Sequence, residues 1–557
     1  MVYRKTMYQR LLTIASIPSI SRSCTEEDKV LRILFDEIAK SAYFKEHPED
    51  LCLLPAESDP LKRNFLFAIV RTPERTEKTV LLTGHIDVVG VSDYGSLQNL
   101  AFLPERYTAA LKGASLDEDS LKDLRSGKWL FGRGVGDMKS GVAAGVELLL
   151  NAAESCQNLA SNLAVLFVSD EETSSAGMLG AVPWLAKLQD EGLRFICCID
   201  LEPTFASGEE AKPTGYLGSL GKINPFFYCV GRDTHAGEYY DGFSVGPTAA
   251  RITLALDGNT QRGDSLGETL FPPYAALKMA DMRSEYSATI LSKGVIAFSY
   301  LTAVKMPGTI LKELKQVAQE ALTLSIEEHR ERRLIYRKKN NLPLSDANFD
   351  GMVLSVMELL SLAEKRTGKT RDRLLADALS NFPVEMDERE KALKTLALVV
   401  EELDLEGPLV IIGFLPPWYP HRVNDEMAKG DQIARQALYT LAEKAKDDGL
   451  DFRIRPLFEG VSDLSYCGFT GSLDDMADFE KNMPGDARLY RFPTESLLSL
   501  SIPVLNFGPI GKDFHRKTER IHLPFFLEKY PILLQYLVDS LGEHSDNEPG
   551  CSARTDK

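Results

Sequence analysis

An α/β fold in two parts is predicted for this chain. A mainly parallel sheet flanked by helices is interrupted by an inserted α+β, ferredoxin-like domain that carries an extra helical insertion. Three observations predict it. Strand-like and helix-like segments alternate over the first 210 residues, the order changes to β-α-β-β-α after about residue 213, and several acids and imidazoles follow directly on apolar runs.

The alternation begins with TVLLTG (79–84), a β-branched and apolar run that stops at His85. GVAAGVELLLNAAES (141–155) reads as a helix, LAVLFVS (163–169) as a buried strand ending at Asp170, the segment around GMLGAVPWLAKLQ as the next helix, and FICCIDL (195–201) as another strand. That order implies a parallel sheet covered by helices. In such sheets ligands collect beyond the carboxyl ends of strands, where His85, Glu171, Glu172 and Glu202 fall. The second part has strands at 222–231, 272–282 and 294–304, helices at 246–257 and from about 308, and a closing strand PLVIIGFL (408–415). Residues 330–407 are charged and helical by pattern, an insertion ahead of that last strand. The predicted domains are therefore 1–213 with 420–541, an inserted domain at 214–419, and a disordered polar tail at 542–557.

Composition narrows the function. A chain of 557 residues exceeds one compact core, and 44% hydrophobic with 26% charged residues suits a folded soluble protein. A net charge of -17 argues against nucleic-acid and anionic-membrane partners, which reward clustered Lys and Arg. The amino terminus lacks a long apolar core with a small-residue cleavage site and reads as an amphipathic helix with Tyr8, Leu11, Leu12 and Ile14 at near-helical spacing. No apolar run is long enough to span a bilayer, so a cytoplasmic location is expected. Eight cysteines without a CxxC pair give neither a disulfide framework nor a Cys-based zinc site; Cys197 and Cys198 read as packing residues.

The chemistry rests on a dispersed set. In His85-Ile86-Asp87, residues i and i+2 share a face, so Asp87 can accept from the ring nitrogen that does not ligate. GRGVGDMKSG (132–141) puts Asp137 in a glycine-rich turn before a helix; it lacks the Walker and dinucleotide spacings, which lowers the phosphate-loop reading. Asp170-Glu171-Glu172 is an acid run of the kind usually solvated, but it ends a buried strand, so one glutamate can hold a metal while its neighbour moves a proton. Glu202 and His515 also follow apolar runs. His47, His329 and His544 lie in polar settings and His522 reads as bland; His421 is an ambiguous substrate contact, and His235, among glycines, is a better candidate. Two imidazoles and several carboxylates suit a pair of borderline divalent cations.

These segments together — TGHIDVV, GRGVGDMKSG, SDEE, DLEPT, GRDTHAG and FHRKTE — resemble the dinuclear zinc peptidase and deacylase superfamily that includes carboxypeptidase G, aminoacylases, peptidase T and succinyl-diaminopimelate desuccinylase. The size, the helical insertion and PPWYP are most similar to its RocB-like, arginine-utilisation branch. The resemblance implies a zinc exopeptidase-like catalytic domain with an inserted lid and dimerisation domain. It implies two divalent ions, zinc or else manganese or cobalt. Asp137 would bridge them, ahead of a cis peptide, with His85 and Glu202 completing one site and Glu172 and His515 the other. Glu171 would be general base and acid, Asp87 would orient His85, and His235 would stabilise the oxyanion in a neighbouring subunit of a homodimer.

Some positions depart from the superfamily. Relatives carry an Asp-x-Arg on a lid strand, whereas IAFSYLTAVKMPG (296–308) has no arginine; Arg283 or Arg422 are the substitutes considered. GVSDLSY keeps Asp463 but loses a glycine, and 470–495 has no counterpart. The expected function is metal-dependent hydrolysis of an amide bond in a small N-acyl amino acid or dipeptide-like substrate, within arginine or amino-acid catabolism. A broad exopeptidase and a catalytically silent binding member are the alternatives.

Overall fold

The computed structural model describes residues 2–205, 212–283, 287–343 and 349–546. The chain divides into two compact units, one of Met1–Leu220, Arg422–Phe469 and Pro493–Lys557, the other of Gly221–His421 and Thr470–Phe492.

The first unit holds an eight-stranded sheet. Its strands β1 (Leu51–Pro55), β2 (Asn64–Val70), β3 (Lys78–His85), β4 (Asn162–Val168) and β5 (Arg194–Asp200) lie in the order β1-β2-β4-β3-β5, continued by Val504–Asn506, Thr214–Tyr216 and Arg453–Arg455. β4, β3, β5 and Val504–Asn506 are parallel, while β1 and β2 add antiparallel strands at one edge. Residues 79–85 of β3 and all of β4 are buried, as continuous apolar runs between helical layers should be. The register pairs His85 with Val168 and Thr83 with Asp200, so three strands end side by side.

Two helices fix those strand ends. α1 (Val2–Ala15) buries Leu11 and Ile14, and its Arg10 pairs with Glu147 of α2 (Lys139–Glu154) at 2.8 Å. α2 approaches the end of β5 so closely that a Cβ on Gly141 would stand 2.3 Å from the Leu201 carbonyl oxygen; only glycine fits there. The hairpin Ile510–Lys512 and Arg520–His522 carries the loop with His515.

The second unit is a five-stranded sheet of β6 (Gly221–Val230), β7 (Ala275–Asp281), β8 (Lys293–Thr302), β9 (Met352–Ser355) and β10 (Leu409–Tyr419), in the order β7-β8-β6-β10-β9. The first four have the ferredoxin-like order; β9 comes from the insertion and joins β10 in parallel. α3 (Gly246–Leu256) and α4 (Pro307–Lys339) belong to the basic motif. The insertion adds α5 (Val356–Thr367), α6 (Arg371–Leu379) and α7 (Glu388–Glu402), whose Leu359, Leu375 and Leu396 pack in one core with Phe226, Tyr228 and Ile411. The insertion is thus a covering layer of the sheet, which explains why β10 is buried along its whole length.

Three boundaries differ from expectation. Residues 214–220, expected in the inserted domain, belong to the first unit, because Thr214–Tyr216 pairs with Arg453–Arg455 and with Val504–Asn506. Residues 470–492, grouped by sequence with the segments after 420, fold with the second unit, because Phe479 stacks on Phe414 at 5.8 Å and packs at a tilt against Trp418 at 5.1 Å. Residues 542–546, expected in a disordered tail, close the helix Tyr530–Asp546, while 547–557 lie outside the described residues. Among the described residues no helix is long and apolar enough to cross a membrane, and the cysteines are free thiols.

Candidate metal centre

The aligned ends of β3, β4 and β5, the turn before α2 and the loop after Ile510–Lys512 bring His85, Asp137, Glu171, Glu172, Glu202 and His515 together in the first unit. His85 is 1% exposed. Its Nδ1 lies 3.1 Å from the Asp87 carbonyl oxygen and 3.5 Å from the Asp87 carboxylate. A carbonyl oxygen only accepts, so Nδ1 carries the proton and Nε2 presents a lone pair. That lone pair faces Asp137 Oδ1 and Glu202 Oε1, each at 3.1 Å. On the other side of Asp137, Oδ2 stands 3.1 Å from Nε2 of His515, which is also 3.0 Å from Glu172 Oε2. One carboxylate therefore offers an oxygen to each of two imidazoles.

Acceptors facing acceptors repel unless a cation lies between them. Without a metal, a proton takes that part. Burial favours neutral His515, but contacts with Asp137 and Glu172 overcome it and push its pKa up to about 11. His85 is likewise raised, by Glu202, Asp137 and Asp87 against burial. Ligand atoms in the groups His85–Asp137–Glu172 and His85–Glu171–Glu202 lie within 4.8 Å of one another. The donor set, two imidazoles and three or four carboxylates with one shared, fits two borderline divalent cations.

Asp87 does more than sequence reasoning assigned to it. Its Oδ1 accepts the Glu171 N–H at 3.1 Å, and its Oδ2 accepts the Glu172 N–H at 3.2 Å and the Ser21 hydroxyl at 2.6 Å. It thereby shapes the turn after β4 as well as meeting His85. Glu171 Oε2 is 3.8 Å from His85 Nε2, farther than the Glu202 oxygen, and the group is buried. Burial, with Glu172, Asp463 and Glu202 close by, holds the Glu171 carboxyl well above the usual range against the pull of His85.

Supporting residues surround this set. Glu519 accepts the N–H groups of Gly136 and Asp137 at 3.1 and 3.3 Å and pairs with Arg133 at 2.6 Å, fixing the turn that bears Asp137. The Asp137–Met138 peptide is cis. Lys139 donates to the carbonyls of Ile14 and Ile17 at 3.0 and 2.8 Å, tying the end of α1 to the start of α2. Asp463 accepts the Ser175 hydroxyl at 2.8 Å. Glu519 lies in the FHRKTE segment, yet nothing in its neighbours assigns it a role; its partners are some 380 residues away in sequence.

His235 belongs to the second unit and is exposed. Its Nδ1 accepts the Gly237 N–H at 3.1 Å, which leaves Nε2 as the protonated nitrogen of the neutral ring. Neither proposed arginine is free. Arg283 is held by Asp281 and by the Thr289 hydroxyl at 2.8 Å, and Arg422 donates to the Ile502 carbonyl at 2.9 Å in a buried setting. His421 is buried and neutral, its pKa lowered to about 4 by burial.

A family model described as Peptidase family M20/M25/M40 matches residues 81–466. Two Bacillus subtilis (strain 168) proteins are similar over nearly the whole chain. One is the uncharacterized protein YqjN, 30% identical over 512 residues, with 91% of each chain covered. The other is protein RocB, 27% identical over 530 residues, covering 94% of this chain and 92% of that one. A succinyl-diaminopimelate desuccinylase of Wolbachia pipientis wMel is 25% identical over 236 residues, 42% of this chain and 53% of its own. Among solved structures, the M20 family metallo-carboxypeptidase Sso-CP2 of Sulfolobus solfataricus shares the fold with a TM-score of 0.52 at 11% identity, over 97% of this chain and 99% of that one.

Proposed function

This chain belongs to peptidase family M20/M25/M40, a family of metallohydrolases that act on amide bonds, and we propose that it hydrolyses the amide of a small N-acyl amino acid or dipeptide-like substrate. The observation that carries the reading is the Asp137 carboxylate, which presents one oxygen to His85 and the other to His515, each at 3.1 Å. His85 and Glu202 would hold one divalent cation with Asp137, and Glu172 and His515 the other. Zinc suits this donor mixture; manganese or cobalt would also fit. When bound, such a pair supplies Lewis acidity toward a water and a carbonyl oxygen.

The chain's own residues move the proton. Glu171 takes it from the attacking water as the new C–O bond forms, then gives it to the amide nitrogen as the C–N bond breaks. Asp87 holds both the His85 tautomer and the Glu171–Glu172 turn. His235, with a proton on Nε2, is a donor suited to the oxyanion. We assign that role to the copy in a neighbouring subunit of a homodimer. The outer strand β7 supports this: it is exposed along one edge, with Leu277 66% and Met279 58% exposed, and Leu254 of α3 82% exposed.

The desuccinylase relative favours an N-acyl substrate, and arginine or amino-acid catabolism in the cytoplasm, expected from the sequence, is kept as part of the proposal. The test is Glu171→Gln in metal-reconstituted protein. Turnover of a panel of N-acyl amino acids and dipeptides should fall by about 10²–10⁴-fold, with metal content unchanged at two per chain. Full activity in the variant would sink the assignment, and preference for dipeptides over every N-acyl substrate would favour an exopeptidase.

A further inference from the structure

The helical insertion and residues 470–492 take no part in the proposed reaction, yet the two meet at one open depression on the surface of the second unit, where Lys481, Arg488 and Arg491 are exposed. It measures about 450 Å³ and is lined by Arg371, Lys481, Arg488 and Arg491, with Glu480 and Asp486. Arg371 is the first residue of α6, whose N-cap Thr370 accepts the Arg373 N–H; the other five side chains come from the end of the helix Leu473–Lys481 and the segment after it. In a chain of net charge -17 this setting of four cations to two carboxylates reverses the prevailing sign.

Local pairing does not use up the cations. Arg488 is steered by Asp486 and Asp372, both at 2.7 Å. The Arg371 Nε stands 3.6 Å from Asp486, is buried, and donates no hydrogen bond. A buried donor left so costs free energy that an acceptor in the depression would recover. Among the described residues, Lys481 and Arg491 form no ion pair, although both border the same space. Glu480 interacts favourably with Arg491, Arg371 and Lys481, and with Asp486 it offsets two of the four positive charges, so a net excess remains that an anion would relieve. Guanidinium forks match the paired oxygens of phosphate and carboxylate, and the volume falls in the range of small-molecule sites, about 300–1,000 Å³.

We propose that this depression binds a small molecule through a compact polyanionic group, phosphate or clustered carboxylates, held by Arg371, Lys481 and Arg491. The site stands apart from the reaction proposed above and does not rest on it: the groups assigned to the metals are in the first unit, and these are in the second.

Isothermal titration calorimetry on the full-length, metal-loaded protein tests it, with inorganic phosphate, citrate and adenosine monophosphate as probes and sodium chloride of equal ionic strength as the blank. Because anions can also meet the metal ions, the decisive quantity is the difference between wild type and a Lys481→Glu/Arg491→Glu double variant. One saturable event should weaken at least tenfold in the variant, with melting temperature and metal content without probe unchanged. The stronger of phosphate and citrate identifies the group. Arg371→Ala should weaken the same event, and Arg491→Gln serves if the double variant does not fold. Titrations identical in wild type and variants, or no saturable binding above the blank, would overturn the proposal.

Discussion

Asp87 shows how one buried carboxylate can organise a reaction without touching the reacting atoms. Its carboxylate stands 3.5 Å from His85 Nδ1 and accepts the N–H groups of Glu171 and Glu172, so one side chain links the ends of β3 and β4. Its replacement by alanine should leave the Glu171 and Glu172 N–H groups unmatched and remove the carboxylate 3.5 Å from His85, while the bond from His85 Nδ1 to the carbonyl of residue 87 remains. Metal affinity is expected to fall by about 10–100-fold, read by competition with a chromophoric chelator. Unchanged affinity would reduce Asp87 to a folding residue. The HxD spacing was legible because side chains alternate along a strand. The two backbone bonds were not, since they depend on where β4 ends relative to β3. Glu519 was hidden for the same reason: its bonds to Gly136 and Asp137 span the chain.

At the scale of elements, buried strands could be read from their apolar runs, and the positions of β3, β4, β5, β6 and β10 follow the sequence to within a few residues. The apolar run IPVLNFG (502–508) likewise reads as the strand that contains Val504–Asn506, but a short piece such as Thr214–Tyr216 carries too few residues for a period, and only pairing defines it. Asp264 gives a test at this scale. Its Oδ2 accepts the N–H groups of Ala303, Val304 and Lys305 at 2.8, 2.9 and 2.9 Å, fixing the turn from β8 into α4. Burial alone would raise the Asp264 carboxyl, but these bonds outweigh it and hold the pKa below the usual carboxylate value. A depressed folded pKa stabilises above the unfolded value, and that stabilisation fades as pH falls through the folded one. Asp264→Ala should therefore cost about 1–3 kcal/mol at neutral pH, with the gap to wild type shrinking below about pH 4. Urea unfolding across pH checks it; a gap that does not vary with pH would rule out the carboxylate as its source.

For the whole molecule, metal should be part of stability as well as chemistry. Asp137, Glu172 and Glu202 crowd negative charge that a cation relieves, and a ligand that binds only the folded state raises its stability. Chelator treatment should lower the melting temperature, with recovery on adding zinc; no shift would argue against occupied sites. The proposed homodimer predicts that Leu277→Lys with Met279→Lys yields a species of half the mass in light scattering and impairs turnover through the loss of His235. A wild-type monomer would remove that role.

Strand and helix periods, together with ligand-type residues at strand ends, were enough to expect metal-assisted hydrolysis and a separate inserted domain, because local pattern and chain order carry that information; the lid role was implied by the family resemblance alone. Which carbonyl sets a histidine tautomer, which glutamate approaches which imidazole, and that residues 470–492 form a basic depression with Arg371 were decided by tertiary structure alone. Those are distances between segments far apart in the chain, and no local period encodes them.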